Sequence, residues 1–123
     1  MRDPARILVV DDVADNVEIL RMRLESMGYE VVVAEDGEQA LDVISKIDGE
    51  IQLLLTDVIM PKMSGRQLAA RFNELRPETR VLYMSGYTDD KLGHHGVLDP
   101  DVELIQKPLT PDVLLRRVRE ILK

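Results

Sequence analysis

The chain has no cysteine, which excludes a disulfide framework, a thiolate nucleophile and a cysteine metal site. That composition suits a reducing compartment, and a cytoplasmic protein is expected. Aromatic residues are few: Tyr29, Phe72, Tyr83 and Tyr87. A surface that stacks bases needs more of them. Basic charge is in deficit, with 16 Lys and Arg against 23 Asp and Glu and a net charge of −7. A duplex-binding protein carries a basic footprint, so direct nucleic-acid binding is disfavoured. No apolar run approaches the length of a membrane span. The first residues, Met1 to Arg6, lack the apolar stretch of a signal peptide, so no membrane association is expected.

What remains is the make-up of a globular domain. At 123 residues the chain is long enough for one domain with a substantial core. The expectation is a single domain over residues 1–123, with Arg6–Lys123 as its core and Met1–Ala5 as a short tail. There is no internal repeat or low-complexity segment.

Short apolar runs alternate with longer periodic ones. Ile7-Leu8-Val9-Val10, Val31-Val32-Val33, the run from Ile51 to Thr56, Arg80 to Met84 and Val102 to Gln106 predict strands. Val17, Leu20, Leu24 and Met27 fall at helical spacing, with Gly28 as the residue just past the helix end. Asp36-Gly37-Glu38 opens a second helix with Ala40, Leu41, Ile44 and Ile47 on its buried face. Ser64-Gly65-Arg66-Gln67 has the capping-box pattern, followed by Leu68, Phe72 and Leu75, with Pro77 as the stop. Thr88 to His95 predicts a short helix with an internal glycine. Thr110-Pro111-Asp112 starts a final helix that presents Leu114, Leu115, Val118, Ile121 and Leu122. The pattern is (βα)₅, which predicts a parallel sheet with helices on both faces. Ligands of such sheets bind beyond the carboxyl ends of the strands.

At those ends stand Asp11 and Asp12, Asp57, Ser85 and Lys107. Three close carboxylates repel one another and call for a counter-charge. Mg²⁺ is a hard cation that uses carboxylates together with waters and a phosphate, with Mn²⁺ as a substitute. Asp12 and Asp57 are the candidate direct ligands, the backbone carbonyl of Ile59 a third, and Asp11 a ligand through water. Asp57 can then act as a nucleophile toward phosphorus and form an acyl phosphate. Lys107 and the Ser85 hydroxyl would hold further phosphoryl oxygens. Taken singly, each has a plainer reading. Asp-Asp after a strand makes a turn or helix cap, Ser85-Gly86 a turn, and Lys107 a solvated surface group.

The blocks Val9-Val10-Asp11-Asp12, Asp57 through Gly65, Ser85-Gly86 and Lys107-Pro108 together resemble the signature of the response-regulator receiver domain of two-component signalling. The resemblance covers essentially the whole chain. It implies a flavodoxin-like (βα)₅ doubly wound sandwich with strand order 2-1-3-4-5. It further implies Asp57 as phosphoacceptor, Asp11 and Asp12 as the acid pair for Mg²⁺, Ser85 as the switch hydroxyl, Lys107 as the phosphate-binding lysine and a cis Lys107–Pro108 bond. The phosphoryl group would come from a histidine kinase or a histidine phosphotransfer domain. Such a domain catalyses its own aspartyl phosphorylation without being a conventional enzyme. Met84-Ser85-Gly86-Tyr87-Thr88-Asp89-Asp90 and His94-His95-Gly96-Val97-Leu98 resemble the C-terminal receivers of hybrid sensor histidine kinases. The alternatives are a freestanding single-domain regulator and a binding module that never takes phosphate.

Some positions depart from the common pattern. Leu104 stands where an aromatic ring often turns inward, and Leu109 where Phe is frequent. A Ser85-driven shift of the Gly86–Gly96 segment is therefore expected in place of a ring flip. Ile59 and Tyr87 occupy the variable positions that flank the phosphoryl group in relatives. Neither orients water well, which implies a long-lived phosphoryl group. An aspartyl phosphatase of the haloacid-dehalogenase type would need a second Asp where Ile59 stands. His94-His95 reads as a surface turn and Lys62 as a loop lysine near the acidic pocket. Arg116, Arg117 and Arg119 beside Glu120 read as a salt-bridged outer face, in a region where relatives form dimer or output contacts.

Overall fold

The computed structural model describes residues 4–60, 62–85, 103–106 and 110–122. The expected Thr88–His95 helix, Tyr87, His94, His95, Lys107 with its bond to Pro108, and Leu109 lie outside the described residues.

Five parallel strands form one sheet in the order β2-β1-β3-β4-β5. They are β1 (Arg6–Val10), β2 (Glu30–Ala34), β3 (Leu53–Asp57), β4 (Arg80–Ser85) and β5 (Leu104–Gln106). Among the described residues the helices are α1 (Ala14–Ser26), α2 (Gly37–Lys46), α3 (Gly65–Leu75) and a last helix, Pro111–Leu122. The predicted strand order is observed, and among the described residues strands and helices alternate as predicted from β1 to β4.

Every residue of β1 and β3 is buried, as near-continuous apolar strands require when both faces are covered. Strand alternation sorts their side chains into two cores. Leu8, Val10 and Leu54 pack with Ala40 and Ile44 of α2 and Leu68 and Phe72 of α3. Ile7, Val9, Leu53 and Leu55 pack with Leu20 and Leu24 of α1 and with Leu114, Val118 and Ile121 of the last helix.

The helix ends follow their local signals. Gly28, at φ 92°, takes the left-handed conformation just past α1. The Asp36 carboxylate accepts the Gln39 N–H at the start of α2, 2.7 Å away. Ser64 and Gln67 form the reciprocal capping box of α3. The Thr110 hydroxyl accepts the Val113 N–H at 3.3 Å.

Three expectations change, at Met27, Leu75 and Arg117. Met27 is the C-cap of α1 and is 41% exposed, so it lies outside the core. Ile47 is the C-cap of α2 in an extended conformation, and its side chain still packs against the core beside Ala40 and Ile44, as expected. Leu75, on the last turn of α3, is 63% exposed. Arg117 pairs with Glu103, and its guanidinium also reaches the Leu104 carbonyl. It turns toward the sheet edge, not along the helix to Glu120.

Candidate functional site

The register of a parallel sheet carries chemistry to one edge. Val10 pairs with Thr56 across β1 and β3, so Asp11 lies alongside Asp57. Asp57 pairs with Met84 across β3 and β4, which places Ser85 one step further along the neighbouring strand. Ser85 in turn pairs with Gln106. Beyond the described end of β5 the next residue is Lys107.

The carboxylates of Asp11, Asp12 and Asp57 converge, each offering an oxygen within 4.8 Å of the others. Their settings differ. Asp11 is fully buried, and its Oδ1 accepts the Val13 N–H at 2.9 Å. It therefore also performs the turn role that is the plainer reading of an Asp-Asp pair. Asp12 is exposed. Asp57 and Ser85 are both buried. Three carboxylates at this spacing repel pairwise by on the order of 1 to 4 kcal/mol, depending on how well water screens them. A cluster of hard oxygen donors fits a hard divalent cation such as Mg²⁺. A redox or thiophilic metal would want the imidazole or thiolate ligands that this cluster lacks.

The loop after Asp57 is tightly turned. The Val58 N–H donates to the Met84 carbonyl at 3.0 Å, and the Gly65 N–H returns to the Val58 carbonyl at 2.8 Å. Lys62 lies within it at φ 69°, a left-handed conformation unusual for a residue with a side chain. Ile59 projects from the loop and is 55% exposed. Leu104 is 39% exposed on β5, on the outside of the sheet edge.

One residue of the site escaped the sequence reading. Thr56 is fully buried, and its hydroxyl donates to the Asp57 carbonyl at 3.1 Å, with Met60 Sδ 3.9 Å away. The available signal was a hydroxyl residue closing an otherwise apolar run, directly before the acceptor candidate.

A five-stranded parallel sheet of this order with an acidic cluster at its carboxyl edge defines a receiver-type α/β domain. Comparison with known proteins agrees: residues 7–119 match the response regulator receiver domain, and the chain belongs to that family. It is a signalling family of two-component systems, not a conventional enzyme family. Among its relatives is the sensor kinase CckA of Brucella abortus, 31% identical over 120 residues. That match takes in 97% of this chain but only 13% of the kinase. The response regulator receiver protein CpdR of the same organism is 29% identical, with 95% of this chain and 96% of CpdR covered. The solved receiver domain of the hybrid histidine kinase CckA superposes with a TM-score of 0.78 at 32% identity, covering 97% of this chain and all of that one. Among the described residues no helix is long and apolar enough to cross a membrane.

Proposed function

We propose that this receiver takes a phosphoryl group from a phosphohistidine onto Asp57. The observation that carries the reading is the meeting of three carboxylates at the end of the central strands, with Ser85 on the neighbouring strand. Asp57 is the carboxylate placed between the acid pair on one side and β4 on the other. One of its oxygens attacks phosphorus, the bond from phosphorus to the imidazole nitrogen breaks, and the imidazole leaves with the electron pair. Asp12, Asp57 and the Ile59 carbonyl are the residues that would hold Mg²⁺ directly, with Asp11 acting through a water. Bound there, the cation supplies charge neutralisation and a Lewis-acid contact for the transferred group. Lys107 and the Ser85 hydroxyl take the remaining phosphoryl oxygens, so the chain contributes mainly positioning.

The test uses a small phosphodonor with Mg²⁺. Wild type should incorporate hydroxylamine-sensitive phosphate and Asp57→Asn none. Full incorporation by Asp57→Asn would overturn the assignment.

The donor is a histidine kinase or a histidine phosphotransfer domain. We read the chain as the receiver of a hybrid histidine kinase, supported by the similarity to CckA. A freestanding regulator is the second reading, favoured by the end-to-end match with CpdR. An antibody against this domain distinguishes the two. A native product much larger than the chain supports the hybrid reading, and one of its own size supports the freestanding reading.

A further inference from the structure

We propose that Gly37 is a positioning residue for the acceptor loop. The space left by its missing side chain seats Met63, and through Met63 the first turn of α2 sets where the loop after Asp57 rests. The inference builds on the metal-site reading of Asp11, Asp12 and Asp57.

Gly37 is the first residue of α2 and is buried. Its backbone does not demand glycine, because the described glycines with positive φ are Gly28 and Gly49. Space demands it. A Cβ at position 37 would lie 2.5 Å from Met63 Sδ and 3.0 Å from both Met63 Cβ and Cγ. Rotation about the side-chain bonds can swing Sδ away. It cannot move Met63 Cβ, which is fixed to the loop backbone. An alanine at position 37 must therefore displace either the helix end or the loop.

The helix end is the stiffer partner. The Asp36 carboxylate holds the Gln39 N–H, the Gln39 side chain accepts the Glu35 N–H, and the Asp36 carbonyl accepts the Ala40 N–H at 3.0 Å. The loop is the softer one. Its ends are anchored by β3 and by the capping box at Ser64. Between them, Lys62 already occupies a strained backbone conformation directly beside Met63. Met63 packs against the core cluster shared by α2 and α3. Pushing it outward carries with it the segment that bears Ile59, whose carbonyl is a candidate metal ligand. Gly37 touches no ligand group itself, so its effect on the site passes through Met63.

Calorimetric titration of the full chain with Mg²⁺ tests this in wild type, Gly37→Ala, Met63→Gly, which removes the Cβ as well as the rest of the side chain, and the double variant, with melting in EDTA as the control for folding. Gly37→Ala should weaken Mg²⁺ binding by about tenfold, the scale of changes just behind a metal's ligands. The double variant, in which the clash is removed from the other side, should recover most of that loss. A merely structural role would lower the melting temperature in EDTA and leave the affinity of the folded protein unchanged. Gly37→Ala within about twofold of wild type, or a double variant no tighter than Gly37→Ala, overturns the proposal while the metal site stands. Wild type that binds no Mg²⁺ overturns the metal-site reading, and this inference with it. Should Gly37→Ala fail to fold, Met63→Ile crowds the same contact from the loop side. It must then weaken binding, and unchanged affinity there is equally fatal.

Discussion

Gly65 rests directly on the carbonyl of Asp57: a Cβ at position 65 would lie 1.9 Å from that oxygen and 2.9 Å from its carbon. The three nearest atoms it would meet are all backbone, the third being Val58 Cα at 3.2 Å. No side-chain rotation relieves such a clash. The start of α3 and the end of β3 can approach this closely only through glycine. Gly65→Ala should cost about 3 kcal/mol of stability, the upper range for overpacking. Urea denaturation should show a lowered midpoint with an unchanged slope. A midpoint equal to that of wild type would mean the two segments separate without cost.

On the proposed reading of the acidic cluster as a Mg²⁺ site, stability should depend on the metal. Asp11 and Asp57 are buried and Asp12 is exposed, so Asp12 is the charge most easily removed without a cavity. In EDTA, Asp12→Asn should stabilise the domain by roughly 1 kcal/mol through relief of repulsion. In Mg²⁺ the order reverses. Wild type should gain about 2.7 kcal/mol at a concentration a hundredfold above its dissociation constant, and the variant should gain little. Thermal melts with and without Mg²⁺ check both halves. Identical behaviour of the two proteins in EDTA would show that the carboxylates do not feel one another.

The same contrast between strand ends and loop contacts explains what could be read from the residues alone. β1 and β3 were legible because a strand covered on both faces is apolar at every position, and its end is marked where the acids begin. Asp11, Asp12 and Asp57 were legible as a set because a parallel sheet collects strand ends on one edge. Met27 and Leu75 misled because helical periodicity gives a direction around the axis. It does not say where along that axis the helix runs off the sheet. Arg117 paired with Glu103 and not with its helical neighbour because β5 lies beside it in space. The seat of Met63 on Gly37 was hidden for a related reason, since room for a side chain belongs to two segments that meet only after folding.

Arg76 joins two helix ends. It caps α3, and its guanidinium donates to the carbonyls of Gly49 at 2.6 Å, Ile44 at 3.2 Å and Ile47 at 3.1 Å. The last turn of a helix leaves carbonyls unpaired and carries partial negative charge. A planar cation with several donors therefore suits the end of α2. Arg6 holds the same turn from the sheet side, through the Asp48 carbonyl at 2.7 Å. Arg76→Ala should destabilise by about 2 kcal/mol, as expected for charged hydrogen bonds partly replaced by water. Arg76→Lys should recover only part of this, because a single ammonium cannot span the positions that the fork reaches. Urea denaturation of both variants measures the two steps. Full recovery by lysine would reduce the role of Arg76 to charge alone.

Tyr83 supplies an alkaline limit. It is buried on β4 against the core that includes α3. Burial pushes its phenol above the ordinary value, with the positive charge of Arg66 opposing. The folded state thus holds this proton more tightly than the unfolded chain does. Its contribution to stability is complete below the unfolded value of about 10 and is lost as pH rises through the higher folded value. Denaturation free energy should therefore fall above about pH 10, and Tyr83→Phe should remove that part of the decline. Subtracting the absorbance titration of Tyr83→Phe from that of wild type isolates the Tyr83 phenol, with a midpoint above about 10. Arg66→Ala should move that midpoint higher still, since it removes the opposing charge. A downward movement would mean that Arg66 acts on Tyr83 through packing and not through its charge.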